Sequence, residues 1–142
     1  MPTELIHRIG IAAKPQKIYD ALTTEEGIKG WWTTDVKMDA QVGGKAVFGF
    51  MNHSTIFEMR IEQLTPPSFV LWKCVEASSS DWIGTTQEFC LEPDDDEVRL
   101  KFSHGGWERG GDHCYYCNTT WGHLLVNLKD YAERGVKNPY FT

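Results

Sequence analysis

The sequence predicts an α+β domain in which an antiparallel sheet grips one long C-terminal helix around an apolar cavity. Three observations predict it. Apolar and polar side chains alternate through residues 4–11 and again through much of residues 42–104, the period of strands half covered by a core. The period changes to that of a helix from about Asp112 to Arg134. The connections between the alternating runs are short, which favours antiparallel neighbours because parallel strands need long crossovers. A length of 142 residues suits one domain, 1–142.

The first strand shows Leu5, His7, Ile9 and Ile11 on one side. Ala12-Ala13-Lys14-Pro15 breaks that period, and Pro15 suits the first turn of a helix because its missing N–H has no partner there anyway. Ile18, Ala21 and Leu22 follow at helical spacing, so a short helix is expected over 15–22. Thr24 can cap a second one, Glu25 to Gly30, which Trp31-Trp32 ends. Two short helices are thus expected after the first strand, and about six or seven strands in all.

From Thr33 to Phe102 strands and turns follow. After the turn Val42-Gly43-Gly44, the sets Ala46/Phe48/Phe50, Thr55/Phe57/Met59/Ile61 and Val70/Trp72/Cys74 each alternate. Thr65-Pro66-Pro67-Ser68 separates the last two. Gln87/Phe89/Leu91 and Val98/Leu100/Phe102/His104 complete the sheet, joined by the acidic run Glu92 to Glu97, which reads as a solvated hairpin tip. At about 100° per residue, Cys114, Cys117, Asn118, Trp121, Leu124, Leu125, Leu128 and Ala132 share one face of the last helix, and Gly135 is its stop.

Composition narrows the function. Net charge is −6 with no basic stripe, so neither nucleic acid nor an anionic membrane is an expected partner. No apolar run approaches the roughly 20 residues that span a bilayer. The start Met1-Pro2-Thr3-Glu4 lacks the features of a signal peptide. A cytoplasmic protein with reduced cysteines is expected. The acidic run lacks the central Gly and terminal Glu of a calcium loop. Cys114 and Cys117 with His113 supply three ligands where a structural zinc site needs four, and no thioredoxin-like unit surrounds them, so neither metal nor cofactor is expected.

Several strings, taken in order, resemble one family. Pro15-Gln16-Lys17-Ile18-Tyr19-Asp20-Ala21-Leu22-Thr23 looks like its first-helix motif. Trp31-Trp32, Val42-Gly43-Gly44, Ser103-His104-Gly105-Gly106-Trp107 and Trp121 to Lys129 match its pattern at the expected places. The chain thus resembles the AHSA family, homologues of the activator of the heat-shock-protein-90 ATPase, within the START-like (SRPBCC) superfamily. The resemblance implies the helix-grip fold, with a curved sheet around the C-terminal helix. It also implies a chaperone partner and a stress-response role. The eukaryotic chaperone activators carry a separate N-terminal domain that this sequence lacks, so stimulation of the ATPase by this chain alone is not expected.

The aromatic content is 13%, with six tryptophans. Trp32, Phe48, Phe57, Met59, Trp72, Phe89 and Trp121 are expected on the inner faces of sheet and helix, with Leu125 as a second helix anchor. A curved sheet cannot lie flush on a straight helix, so a gap is expected at one end. His104 and Asn118 are its polar candidates, His104 either meeting a ligand or bonded to nearby backbone. Entry is expected between Trp31-Trp32, the loop from His104 to Trp107 with its glycines 105, 106, 110 and 111 as a gate, and the first turns of the long helix. No catalytic triad or phosphate loop is evident. The expected function is binding of a small apolar or amphipathic ligand by a monomer or homodimer. The alternatives are a cyclase- or hydrolase-type enzyme acting on aromatic polyketide-like compounds, with His104 or another cavity polar group as acid or base, and a chaperone-linked interaction protein.

Overall fold

A computed structural model describes residues 3–108 and 111–142. The chain runs β1 (Thr3–Ile11), α1 (Pro15–Thr23), α2 (Glu25–Trp31), β2 (Asp35–Met38), β3 (Lys45–Phe50), β4 (Thr55–Thr65), β5 (Phe69–Ala77), a 3₁₀ turn (Ser80–Trp82), β6 (Thr86–Asp94), β7 (Glu97–Trp107) and α3 (Asp112–Arg134). The strands form one sheet in the order β1-β7-β6-β5-β4-β3-β2, antiparallel throughout. The first two strands are therefore its two edges, and α1 and α2 carry the chain from one to the other.

Local chemistry explains the elements. Pro15 opens α1, and the Thr24 hydroxyl accepts from the Gly27 N–H at 2.9 Å to cap α2. The Trp31 indole N–H donates to the Ala21 carbonyl at 2.9 Å and ties the two helices together. Gly27 lets them touch, since a Cβ there would lie 2.5 Å from the Ala21 Cα. Gly135 takes the left-handed conformation (φ 69°) that ends α3, its N–H donating to the Tyr131 carbonyl.

The inner face of the sheet is continuous. Ala46, Phe48, Phe57, Met59, Val70, Trp72, Phe89, Leu100 and Phe102 are all buried on it. With 23 residues, α3 is about 35 Å long and crosses the whole sheet. It buries Cys114, Cys117, Thr120, Trp121, Leu124, Leu125, Leu128 and Ala132. Asn118 is exposed, which corrects its assignment to the inner face. It projects only about 20° from Leu125, at the margin of the stripe, and Thr120 on the opposite margin is covered instead. The far end of α3 is pinned to the β1–α1 link. Glu133 accepts from the Ala12 N–H at 2.6 Å, and Lys129 bonds both Glu133 and the Gly10 carbonyl.

After α3 the chain doubles back. Asn138 N–H donates to the Gly30 carbonyl, and Phe141 exchanges backbone bonds with Trp32 and Thr34, forming a short parallel bridge at Thr33.

Candidate functional site

Between the N-terminal half of α3 and the β2–β5 side of the sheet the two layers part. The gap is an open cleft of about 450 Å³. Phe57 and Trp82 stack at 4.1 Å on one wall, Trp32 and Trp121 meet at 5.2 Å at the back, and Phe50 packs edge-on against Phe141 at 4.7 Å on the other side. Leu124, Met51 and Tyr116 complete the apolar part, and Thr55, Ser78, Ser79, Asp81, His113, Cys117 and Thr120 supply polar atoms.

Each wall has a local cause. The β3–β4 hairpin tip holds Met51, Asn52 and His53 at positive φ, and His53 bonds Asp35 of β2, which sets Met51 at the mouth. The 3₁₀ turn Ser80–Trp82 turns the chain over between β5 and β6 and drops Trp82 into the core. The tail delivers Phe141.

Directly behind Trp82 and Trp121 lies a sealed polar knot. His104 has no exposed surface. The Trp121 indole N–H donates to its Nδ1 at 3.0 Å, so Nδ1 carries the lone pair and Nε2 the hydrogen. Nε2 donates to the Thr85 hydroxyl at 2.8 Å, which donates onward to the Trp82 carbonyl at 2.6 Å. The Gln87 amide nitrogen stands 3.0 Å from the same Nε2 and donates to the Thr85 hydroxyl at 3.2 Å. Burial, with His113 adding repulsion, pushes His104 down to about 3. His104 is thus bonded to side chains, which corrects the expected bond to nearby backbone.

The expected residues divide clearly. Trp32, Phe57 and Trp121 line the cleft. Trp31, Phe48, Met59, Trp72, Phe89 and Leu125 are buried in the packed layer beyond it and do not line it. His104 sits one layer behind the wall. Trp107 lines a separate polar cleft with Glu108, Asp112 and His113. Asn118 is on the outside of α3. The expected glycine gate is also corrected: Gly105 and Gly106 are strand residues of β7, Gly106 (φ 85°) lying 3.3 Å from the Gly84 carbonyl by its notional Cβ. Gly110 lies outside the described residues. Trp82, Phe50 and Phe141 enter the site without having been expected there. Phe50 was visible as an inward strand residue, whereas Trp82 and Phe141 follow Ser- and Pro-containing loops that carry no period.

The thiols are quiet. Burial pushes Cys117 up to about 11, partly opposed by the Trp82 indole N–H, and Cys114 is raised by burial too. Neither is a thiolate near pH 7. Among the described residues no three His, Cys, Asp or Glu side chains are grouped to hold a metal ion. No helix among them is long and apolar enough to cross a membrane.

The comparisons with known proteins agree with this architecture. The Aha1 dimer of Colwellia psychrerythraea, solved in solution, is 36% identical and superposes with a TM-score of 0.85, covering 94% of this chain and 98% of that one. Mll3558 from Rhizobium loti is 16% identical (TM-score 0.78, covering 91% of this chain and 96% of that one), and CalU16 from Micromonospora echinospora is 17% identical (0.74, covering 93% and 77%). At those identities the last two share the fold. No curated protein matches the sequence. A family model described as activator of Hsp90 ATPase homolog 1-like protein matches residues 12–133. With helix-grip architecture, first-helix motif and this match in agreement, the chain belongs to the activator of Hsp90 ATPase homolog 1-like family.

Proposed function

We propose that this protein binds a small apolar or amphipathic molecule in the cleft between α3 and the β2–β5 side of the sheet. The observation that carries the proposal is about 450 Å³ of open space walled by Trp32, Phe50, Phe57, Trp82, Trp121 and Phe141. That volume lies within the range of small-molecule sites, which are mostly apolar with a few polar groups. The enzymatic alternative needs His104 or another polar group of the cavity as its acid or base. A sealed imidazole held neutral and pushed down to about 3 is a poor base near pH 7. We place the protein in the cytoplasm, a compartment that suits its four free cysteines.

Titration with the neutral fluorophore N-phenyl-1-naphthylamine tests the proposal. Saturable one-site binding with quenching of tryptophan emission is expected. Trp32→Phe should reduce the quenching, and Asp95→Ala at the β6–β7 hairpin should leave it unchanged. An absence of saturable binding overturns the reading.

Self-association is a second reading, favoured by the outer face of α3. No Asp, Glu, Lys or Arg occurs from residue 113 to 128, and Tyr115, Tyr116 and Val126 are exposed there. The 36%-identical relative is described as a dimer. Light scattering should report a dimer at micromolar concentration that Val126→Glu converts to monomer; a wild-type monomer overturns it. The family's name brings a chaperone partner as a third proposal. Because stimulation of the ATPase by this chain alone is not expected, binding is the measurement: saturable binding to purified Hsp90 in calorimetry would support it, and an absence of binding would count against it.

A further inference from the structure

The apolar cleft ends in a polar corner built from two segments distant in sequence. One is the stretch Ser78–Trp82, which turns the chain over after β5; the other is the first turn of α3. His113 Nδ1 lies 3.0 Å from Ser79 Oγ and 3.4 Å from Asp81 Oδ2. The carboxylate of Asp81 can only accept, so in the neutral ring the hydrogen sits on Nδ1, facing both oxygens. Nε2 then carries a lone pair. A ring whose donor nitrogen is fixed by a carboxylate and a hydroxyl presents the other nitrogen as an acceptor of settled orientation. His113 is 31% exposed, so it remains within reach of a molecule entering the cleft that it lines.

The charge around this corner has one sign. Asp81 lines the apolar cleft, and Glu108 and Asp112 line the polar cleft that shares His113 with it. An anionic head group brought here meets three carboxylates, and like charges at close range disfavour it. A neutral donor meets the imidazole acceptor with no such cost. The aromatic walls set the rest of the molecule: Phe57 and Trp82 are parallel within 14°, and flat rings pack against such faces in offset or edge-on geometry.

We propose that the corner formed by His113, Asp81 and Ser79 makes the cleft selective for hydroxylated aromatic molecules, the ligand O–H donating to His113 Nε2. This rests on the cleft being a binding site, and it adds which class of ligand the site prefers. A neutral hydrogen bond of this kind changes affinity by about five- to tenfold.

Three probes of one shape test it: naphthalene, 2-naphthol and 2-naphthoate, titrated at pH 7.5 by tryptophan quenching. For the wild type, 2-naphthol should bind about five- to tenfold tighter than naphthalene, and 2-naphthoate more weakly than naphthalene. His113→Phe should erase the advantage of 2-naphthol over naphthalene, since the acceptor nitrogen is lost. Asp81→Asn, at a position 60% exposed, should improve 2-naphthoate several-fold relative to naphthalene. Equal affinity of the wild type for 2-naphthol and naphthalene overturns the selectivity. So does an advantage that survives in His113→Phe. If none of the three binds, the cleft reading itself fails and takes this inference with it, an outcome distinct from equal binding.

Discussion

His104 makes the stability of the protein depend on pH. In the unfolded chain a histidine protonates near 6.5, whereas in the folded protein burial holds this one down to about 3. The unfolded state therefore binds the extra proton first as pH falls. The stabilisation is fully present above pH 6.5 and is lost at up to about 1.4 kcal/mol per unit below it. Urea melts between pH 6.5 and 5 should show that slope, and His104→Gln should flatten it; a wild type with the same stability at both ends would show that the knot is wet. Trp121 is the residue on which packing and the knot both depend. Its ring meets Phe102 at 4.3 Å and its N–H fixes the His104 tautomer. Trp121→Ala should cost about 3–5 kcal/mol, read from the same melts. Trp121 was legible in the sequence because it sits in a helical stripe. Trp82 was not, because the serines before it hide whether the next side chain turns in or out, and only the 3₁₀ turn decides that.

At the scale of elements, the two packed helices carry a test in which local and tertiary preference oppose each other. Alanine is favoured over glycine inside a helix by about 1 kcal/mol. At Gly27, however, the added methyl would meet the backbone of Ala21 at 2.5 Å and force α1 and α2 apart. Gly27→Ala should therefore destabilise by about 1–3 kcal/mol, as overpacking does; a gain in melting temperature would show that the contact relaxes. Elements with a long, clean period were readable in sequence: α3 begins at Asp112 and ends at Arg134, as expected. β2 was not, because a strand of four residues with one buried side chain, Val36, shows no alternation. Asn118 was misassigned for a related reason, since a wheel shows the direction of a side chain and not whether anything lies opposite it.

Across the whole molecule, the cleft exists because the sheet and the N-terminal half of α3 part beside Trp82 and Phe141, although Cys114, Cys117 and Trp121 on that half stay buried. The side of the cleft was therefore a property of layers, and the sequence could place a gap at a sheet end without choosing which loops border it. The tail shows why. Phe141 is a wall of the cleft, and it is ordered by backbone bonds to Trp32 and Thr34, which lie far earlier in the chain. A molecule resting on Phe141 holds that parallel bridge shut, so the amides of Thr34 and Phe141 become reporters of occupancy. In deuterium exchange both should slow when the cleft is filled, in proportion to ligand concentration over Kd, while amides in the middle of β6 should not change.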